Sequence, residues 1–376
     1  MNNIDLEKLL PRIKIDMDWD VISRNIEGKC LLITGAAGSI GSELTLKIAT
    51  ARPRMLVLVD QAESPLHAMM LTMRKQFPKQ DFLPVVTSIT NETQMDALFS
   101  QFNPDFVFHA AAYKPVPMME MNPAIAVQNN CLGTRVIANL AVKYGVKKFV
   151  MISTDKAVNP SSVMGASKRV CEIYCQSLNK RNADATKIDA IPRTQFVTTR
   201  FGNVLGSVGS VIPIFEQQIV EGGPVTVTHP DMERYFMLIP EACELVLEAC
   251  AIGLGGEIYA FDMGKPMKIK DMACRMIEMY NAKNVEIKYT GLRDGEKLYE
   301  EVLNVEETTL PTSHPKIRVA KVREYDYDKV LRNELELERL SYTYDDMEIV
   351  KKMKEIVPEF KSFHSKYETL DSLSQN

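Results

Sequence analysis

The stretch LLITGAAGSIGSEL, residues 31–44, decides the fold. Four apolar residues read as a buried strand, and the amphipathic run after Ser39 reads as a helix. Between them stand Gly35, Gly38 and Gly41. A glycine at the first position permits the tight turn, the second lets a phosphate approach the backbone, and the third allows close packing of helix on strand. Gly35, Gly38, Ser39, Ile40 and Gly41 are therefore candidate contacts to the pyrophosphate of a dinucleotide, which would lie at the helix N-terminus. An ordinary strand-to-helix turn would carry a similar glycine pattern, so the setting matters more than the motif.

Outward from this turn, short apolar runs alternate with longer helical ones. Strand-like runs are LLIT (31–34), MLVLV (55–59), FLPVV (82–86), FVFHA (106–110) and KFVMIS (148–153). Helical stretches are expected near 40–51, 64–77, 92–101 and 124–144. Strands that are apolar throughout, separated by helices, imply a parallel sheet covered on both faces. The expectation is an α/β fold, a Rossmann-type doubly wound parallel sheet with a smaller C-terminal substrate-binding lobe. Its parts are a leader over residues 1–28 wrapped on the main domain, and a dinucleotide-binding domain with the reactive residues over 29–205. Residues 206–320 would form the lobe and the remaining sheet elements. A charged helical tail would occupy 321–376, with a helix near 344–356 and a frayed SLSQN end.

Composition narrows the function classes. The chain has 376 residues, 45% of them apolar, enough for a sizeable core. Lys plus Arg number 45 against 49 Asp plus Glu, so no basic footprint points to nucleic acid or an anionic membrane. Seven Cys without a C-x-x-C pair fit buried thiols in a reducing compartment better than disulfides, and Cys171 and Cys175, one helical turn apart, do not have zinc spacing. No metal site is expected. No apolar segment approaches the ~20 residues of a membrane span, and the N-terminus lacks a signal-peptide core. A cytoplasmic protein is the expectation.

Asp60 ends the second strand. Its carboxylate could accept hydrogen bonds from the adenosine ribose hydroxyls and would repel a 2′-phosphate; with Gln61 next to it rather than Arg, NAD is favoured over NADP. Asp60 could equally cap the following helix. After the fourth strand, Ala110, Ala111 and Ala112 are small enough for the backbone to run along a cofactor, and Asn130 sits in a helical pattern where Asn is a weak helix former, as a residue that ties strands together would. Thr154, Asp155 and Lys156 follow the fifth strand, at the sheet edge where ligands of open α/β folds bind. They supply a hydrogen-bonding hydroxyl, a proton donor and a base. Lys156 must be neutral to act as a base, so its pKa is expected to fall through burial or the nearby Lys168 cation. An Asp–Lys pair in a solvated turn is the bland alternative.

GAAGSIGSEL, HAAAYK, STDKAVNP, MGASK, RFGNVLGSVGSVIP, GGPVTVTHPDMERYFM and GLRDGEKLYEE, in this order, resemble the UDP-N-acetylglucosamine 4,6-dehydratases of bacterial polysaccharide and glycoprotein sugar synthesis. These are extended short-chain dehydrogenases, and the resemblance runs from about residue 5 to 310. It places Lys168 at the active-site lysine, which holds the nicotinamide ribose, and Met164 where many such enzymes have a proton-transferring Tyr. A thioether carries no proton, and members with Met there tend to retain configuration at C5. The resemblance implies NAD, UDP-N-acetylglucosamine, Asp155 as acid for the departing C6 hydroxyl, Lys156 as base at C5 and Thr154 as partner of O4. It implies UDP contacts from Asn203, Arg234 and Arg293, a ribose contact from Glu296, and a substrate contact from Lys114. Pro115 stands where the family usually has His, and Asp294 where it usually has Pro, which bears on Lys114 and on the Arg293 loop. Family members often form dimers or larger assemblies, so a homo-oligomer is expected. Many relatives carry an N-terminal membrane region with no counterpart here; the chain would be membrane-associated if such a region had been removed. Two other readings compete: a UDP-sugar 4-epimerase, which needs no acid and base for C5–C6 elimination, and a non-catalytic NAD-binding sensor.

Overall fold

The computed structural model describes residues 9, 10, 15, 17–189, 194–301, 309–320 and 323–371. Much of the leader and the SLSQN ending lie outside these. The five strand runs form at their expected places as β1 (Cys30–Thr34), β2 (Met55–Asp60), β3 (Phe82–Val86), β4 (Phe106–His109) and β5 (Lys148–Ile152), joined by β6 (Gln195–Arg200). Across the sheet the order is Thr309–Pro311, Ile317–Ala320, Ile258–Phe261, β6, β5, β4, β1, β2, β3. Pairing is parallel from β3 to Ile258–Phe261 and antiparallel for the last two strands. The chain winds outward from β1 in one direction, then from β4 in the other. That reversal opens a crevice beyond the carboxyl ends of β1 and β4. This is the expected doubly wound Rossmann-type fold.

Burial follows strand position. β1 and β4 are buried along their whole length, whereas β3, at the edge, is half-exposed and accommodates Pro84, whose missing N–H the edge tolerates. The helices Ser39–Thr50, Glu63–Gln76 and Glu92–Phe102 match the periodic stretches. The expected helix at 124–144 is instead a composite: a short turn, a π-helical segment Val127–Leu132, then Gly133–Lys143. Such π segments often lie at functional sites, and this one carries Asn130.

A smaller body sits over the crevice. Its paired short strands are Asn203–Leu205 with Phe236–Leu238, Glu233–Arg234 with Met267–Lys268, and Val225–Val227 with Ile287–Tyr289. It has its own core, including Ile212, Phe215, Val225, Phe236 and Met272, joined by Leu9 and Leu10 of the leader. The tail behaves differently. Helices Tyr327–Ser341 and Asp346–Ile356 lie on helix Val163–Asp189, and Val330, Leu337, Ile349, Val350, Met353 and Phe360 belong to the main core. Six of the seven Cys are buried and all seven are free thiols. Among the described residues no helix is long and apolar enough to cross a membrane.

Candidate active site

The glycine turn is built by contact between backbones. Gly35 has φ +66°, and a Cβ there would lie 2.7 Å from the Ala111 nitrogen. A Cβ on Gly41 would fall 2.0 Å from the Gly35 carbonyl oxygen. Gly38, at the N-cap, differs: a Cβ would meet only that carbonyl, at 3.3 Å, and the residue is exposed. The first and third glycines are thus required by the fold itself, while the second keeps open the space into which a pyrophosphate would fit. Ile40 packs beneath the turn, and Ser39 Oγ accepts a hydrogen bond from Val208 N at 3.1 Å, so the loop 206–210 of the smaller body closes over the turn.

Asp60 supports the same cradle. Its Oδ2 accepts from Ala37 N at 3.0 Å and its Oδ1 from Ala62 N at 2.9 Å; the latter closes a local turn before helix Glu63–Gln76, whose N-cap is Ala62 and has no side-chain cap. Each oxygen keeps a further lone pair for a ribose hydroxyl. Ala110 and Ala111 follow β4 against Gly35, with Ala112 next in line, and the adjoining Tyr113 is pinned by Asn130. The Asn130 side chain accepts from Tyr113 N (2.8 Å) and donates to Tyr113 O (3.0 Å) and to Ser167 Oγ (3.0 Å). It thereby ties the end of β4 to the helix of Lys168. Lys168 is 5% exposed, and its charge reaches His109, a buried imidazole between Thr34 and Thr134. Burial, reinforced by Lys168, holds His109 neutral with a pKa of about 3. The residues present therefore fit a dinucleotide.

The residues expected to move protons follow β5 as a short 3-10 turn, Asp155–Ala157, with Thr154 as its cap. Thr154 Oγ1 donates to Asp155 Oδ1 at 2.9 Å, and Lys156 Nζ donates to the same oxygen at 3.1 Å. Asp155 is 1% exposed and its Oδ2 has no partner. That oxygen faces Gly202, where any Cβ would stand 2.8 Å from it. Burial pushes the Asp155 carboxyl above its ordinary pKa, with Lys156 opposing and Glu300 adding to the rise. A buried carboxyl with one unengaged oxygen is suited to hold and deliver a proton.

Lys156 departs from expectation. Burial does pull its pKa down, but Asp155 and Glu300 outweigh burial, and the amine sits above the ordinary lysine value. It is an ammonium at rest, held by Asp155, by Asn203 Oδ1 at 2.9 Å and by Glu300 at 3.4 Å. Asn203 thus gives its amide oxygen to Lys156, which leaves the Nδ2 donors as the part of the side chain that could meet a diphosphate. Met164, which the resemblance places where many such enzymes have a proton-transferring Tyr, is 3% exposed and packed in the main core.

The arginines divide. Arg234 is 5% exposed; its Nη1 donates to the Glu233 and Leu298 carbonyls (2.7 and 3.1 Å), its Nη2 to Lys297 O (2.7 Å), and it faces Glu296 and Glu300 at 3.8 and 3.5 Å. In this structure it holds the 296–300 segment. Arg293 is exposed and pairs with Glu296 at 2.9 Å, so Glu296 links the two arginines. Lys114 donates to Ser207 Oγ at 3.2 Å, and its pKa is lowered by burial of the ammonium and by Lys156.

Two groups escaped the sequence reading. Glu300 lies in the GLRDGEKLYEE motif but carried no local signal of contact with Lys156. Glu172, fully buried, receives Arg200 (2.7 Å), Arg169 (3.0 Å) and the Ser153 hydroxyl (2.7 Å); despite burial, these cations hold its pKa at about 2. It anchors the residue next to Thr154. Its place one turn after Lys168 was legible, but its partners were not.

Fold and site together define a doubly wound Rossmann-type protein with an Asp–Lys pair at the sheet edge. Residues 31–322 match the polysaccharide biosynthesis protein family, and the chain belongs to it. It is 45% identical to the capsular polysaccharide biosynthesis protein CapD of Staphylococcus aureus over 340 residues, 90% of this chain and 54% of that protein. The chain spans about half the length of that relative. It is 33% identical to a UDP-glucose 4-epimerase of Rickettsia rickettsii, over 74% of this chain and 79% of the other. The solved structure of Pen from Bacillus thuringiensis superposes with a TM-score of 0.72 at 28% identity, covering 83% of this chain and 98% of that one.

Proposed function

We propose that the protein is a nucleotide-sugar 4,6-dehydratase that converts UDP-N-acetylglucosamine to UDP-2-acetamido-2,6-dideoxy-α-D-xylo-hexos-4-ulose with retention at C5. The observation that carries this reading is the buried Thr154–Asp155–Lys156 cluster with its unengaged Asp155 oxygen. The glycine turn, Asp60 and Lys168 would hold NAD, which when bound would supply reversible storage of the hydride from C4 until its return to C6. The 4-ketone acidifies the C5 proton. Lys156, as the neutral amine, takes that proton and returns it to C5 from the same face. Asp155 takes the O4 proton, directly or through a water, and delivers it to the departing C6 hydroxyl, which leaves as water. Protons balance, and Met164 has no part in their transfer. Thr154 orients O4, while Arg293, Glu296 and Lys114 are assigned to the UDP moiety on the family resemblance. Cytoplasmic location and homo-oligomeric assembly belong to the same reading.

A 4-epimerase is favoured by one observation, the likeness to the Rickettsia protein of that name. Epimerisation at C4 needs an acid/base at O4 but no acid and base for elimination across C5 and C6, so Lys156 and the second use of Asp155 would then have no task. Proton NMR of the protein with UDP-N-acetylglucosamine and NAD in deuterated buffer separates the two. A new C6 methyl signal with deuterium at C5 is expected; an epimerised sugar would replace this reading with the other.

A further inference from the structure

We infer that Glu300 is a positioning residue of this site: it holds the Lys156 amine in place and in its charged form, and so sets the pH at which that amine becomes a base. This rests on the reading of Lys156 as the proton-transferring amine. The Glu300 side chain is buried, 4% exposed, and no solvated surface role explains a carboxylate there. One oxygen, Oε1, lies 3.4 Å from Lys156 Nζ and 3.5 Å from Arg234 Nε. Breaking such a buried pair strands a charge, so the three groups form a unit.

The carboxylate reaches this position because its segment is gripped from two sides. Arg234 binds the carbonyls of Lys297 and Leu298. On the other side, Gly295 N donates to Phe363 O at 2.7 Å, and Ser161 Oγ donates to Gly295 O at 2.9 Å. The C-terminal tail and the loop before the Lys168 helix thus fix the register of residues 295–300 against Lys156. The charged groups around the amine are Asp155 from its own turn, Glu300 and Lys297 from this segment, Arg234 from its short strand, and Lys114 beyond β4. Burial opposes ionisation of Glu300, yet Lys156, Arg234 and Lys297 keep it below the ordinary glutamate range. Asp155 is shifted the opposite way. The two carboxyls that flank one amine are thus pushed apart, Glu300 toward a standing counter-ion and Asp155 toward a proton carrier.

The test reads Lys156 directly, with neither sugar nor cofactor, so its outcome is independent of the dehydratase assignment. Purified protein is trace-labelled with acetic anhydride across a pH series, and peptide mass spectrometry gives the midpoint pH of each lysine's labelling. In the unaltered protein Lys156 is expected to label with a higher midpoint than Lys114. In Glu300→Gln its midpoint falls, with labelling at pH 8 roughly tenfold faster, while Glu300→Asp restores the higher midpoint. Turnover in Glu300→Gln should show its acid-side limb displaced to lower pH, which a purely structural role would not produce. An unchanged or raised Lys156 midpoint in Glu300→Gln overturns the inference. If that variant does not fold, a Lys156 midpoint below that of Lys114 in the unaltered protein overturns it equally.

Discussion

The glycine turn and the Asp155–Lys156 cluster lie at the same edge of one sheet, yet they are held by different means. The turn is a matter of backbone fit among near neighbours: Gly41 against Gly35, Gly35 against the chain leaving β4, and Asp60 on Ala37. The cluster is a matter of charge placement by segments remote in sequence. Lys156 is held by Asn203 and Glu300, Glu300 by Arg234, and their loop by the tail at Phe363. Changes in the turn should therefore cost fold and cofactor together, whereas changes in the cluster should cost chemistry first.

The sharpest test is Asp155→Asn. Removing a group that transfers protons costs roughly 10²- to 10⁴-fold in rate, and turnover of UDP-N-acetylglucosamine should fall into or below that range. The melting temperature should also fall, because Lys156 loses one of its two carboxylate partners, but by less than in Glu172→Gln, since Glu300 still faces the amine. If this variant still accumulates reduced nicotinamide with substrate, Asp155 does not take the O4 proton. Glu172→Gln is the counterpart in the buried network beneath the site. It leaves Arg200 and Arg169 short of their counter-charge, at a cost of about 3 kcal/mol or more in urea unfolding.

Gly41→Ala probes the turn. With only 2.0 Å to a backbone carbonyl, the methyl cannot be relieved by a rotamer change, and a loss of about 3 kcal/mol is expected together with loss of NAD retention. Normal stability with normal NAD binding would break the comparison. The pH dependence is a gentler test. In the unfolded chain His109 takes a proton below its ordinary pKa of 6.5, whereas folded His109 stays neutral down to about 3. Its contribution to stability is therefore fully present above pH 6.5 and declines as pH falls from there toward 3. Urea midpoints measured between pH 7.5 and 5 should drop, and His109→Asn should flatten that slope. The smallest effect is expected from Arg293→Ala, which leaves stability within about 0.5 kcal/mol because the side chain is exposed; substrate KM should rise while kcat holds.

The tail shows why part of the fold escaped the sequence. Helix Tyr327–Ser341 reads as charged, and only Asp346–Ile356 was expected in its neighbourhood. Yet Val330 and Leu337 form an inward stripe on the Lys168 helix, and Arg169 reaches from that helix to Glu359 (3.1 Å) and the Tyr325 hydroxyl (2.9 Å). A narrow apolar stripe among many charges signals a helix weakly and says nothing of its partner. The π-helical segment at Val127–Leu132 was missed for a related reason, since its period differs little from that of the helix around it.

The sequence by itself determined the sheet, the glycine turn and the residue types that follow each strand, because these depend on local periodicity, on backbone sterics at glycine and on the end of a strand being the mouth of a crevice. Only the tertiary structure decided which charges face one another. It made Lys156 an ammonium instead of a ready base, turned Arg234 inward and brought Glu300 to the amine, because the energy of a buried charge depends on every neighbour within a few ångströms, and those neighbours come from all along the chain.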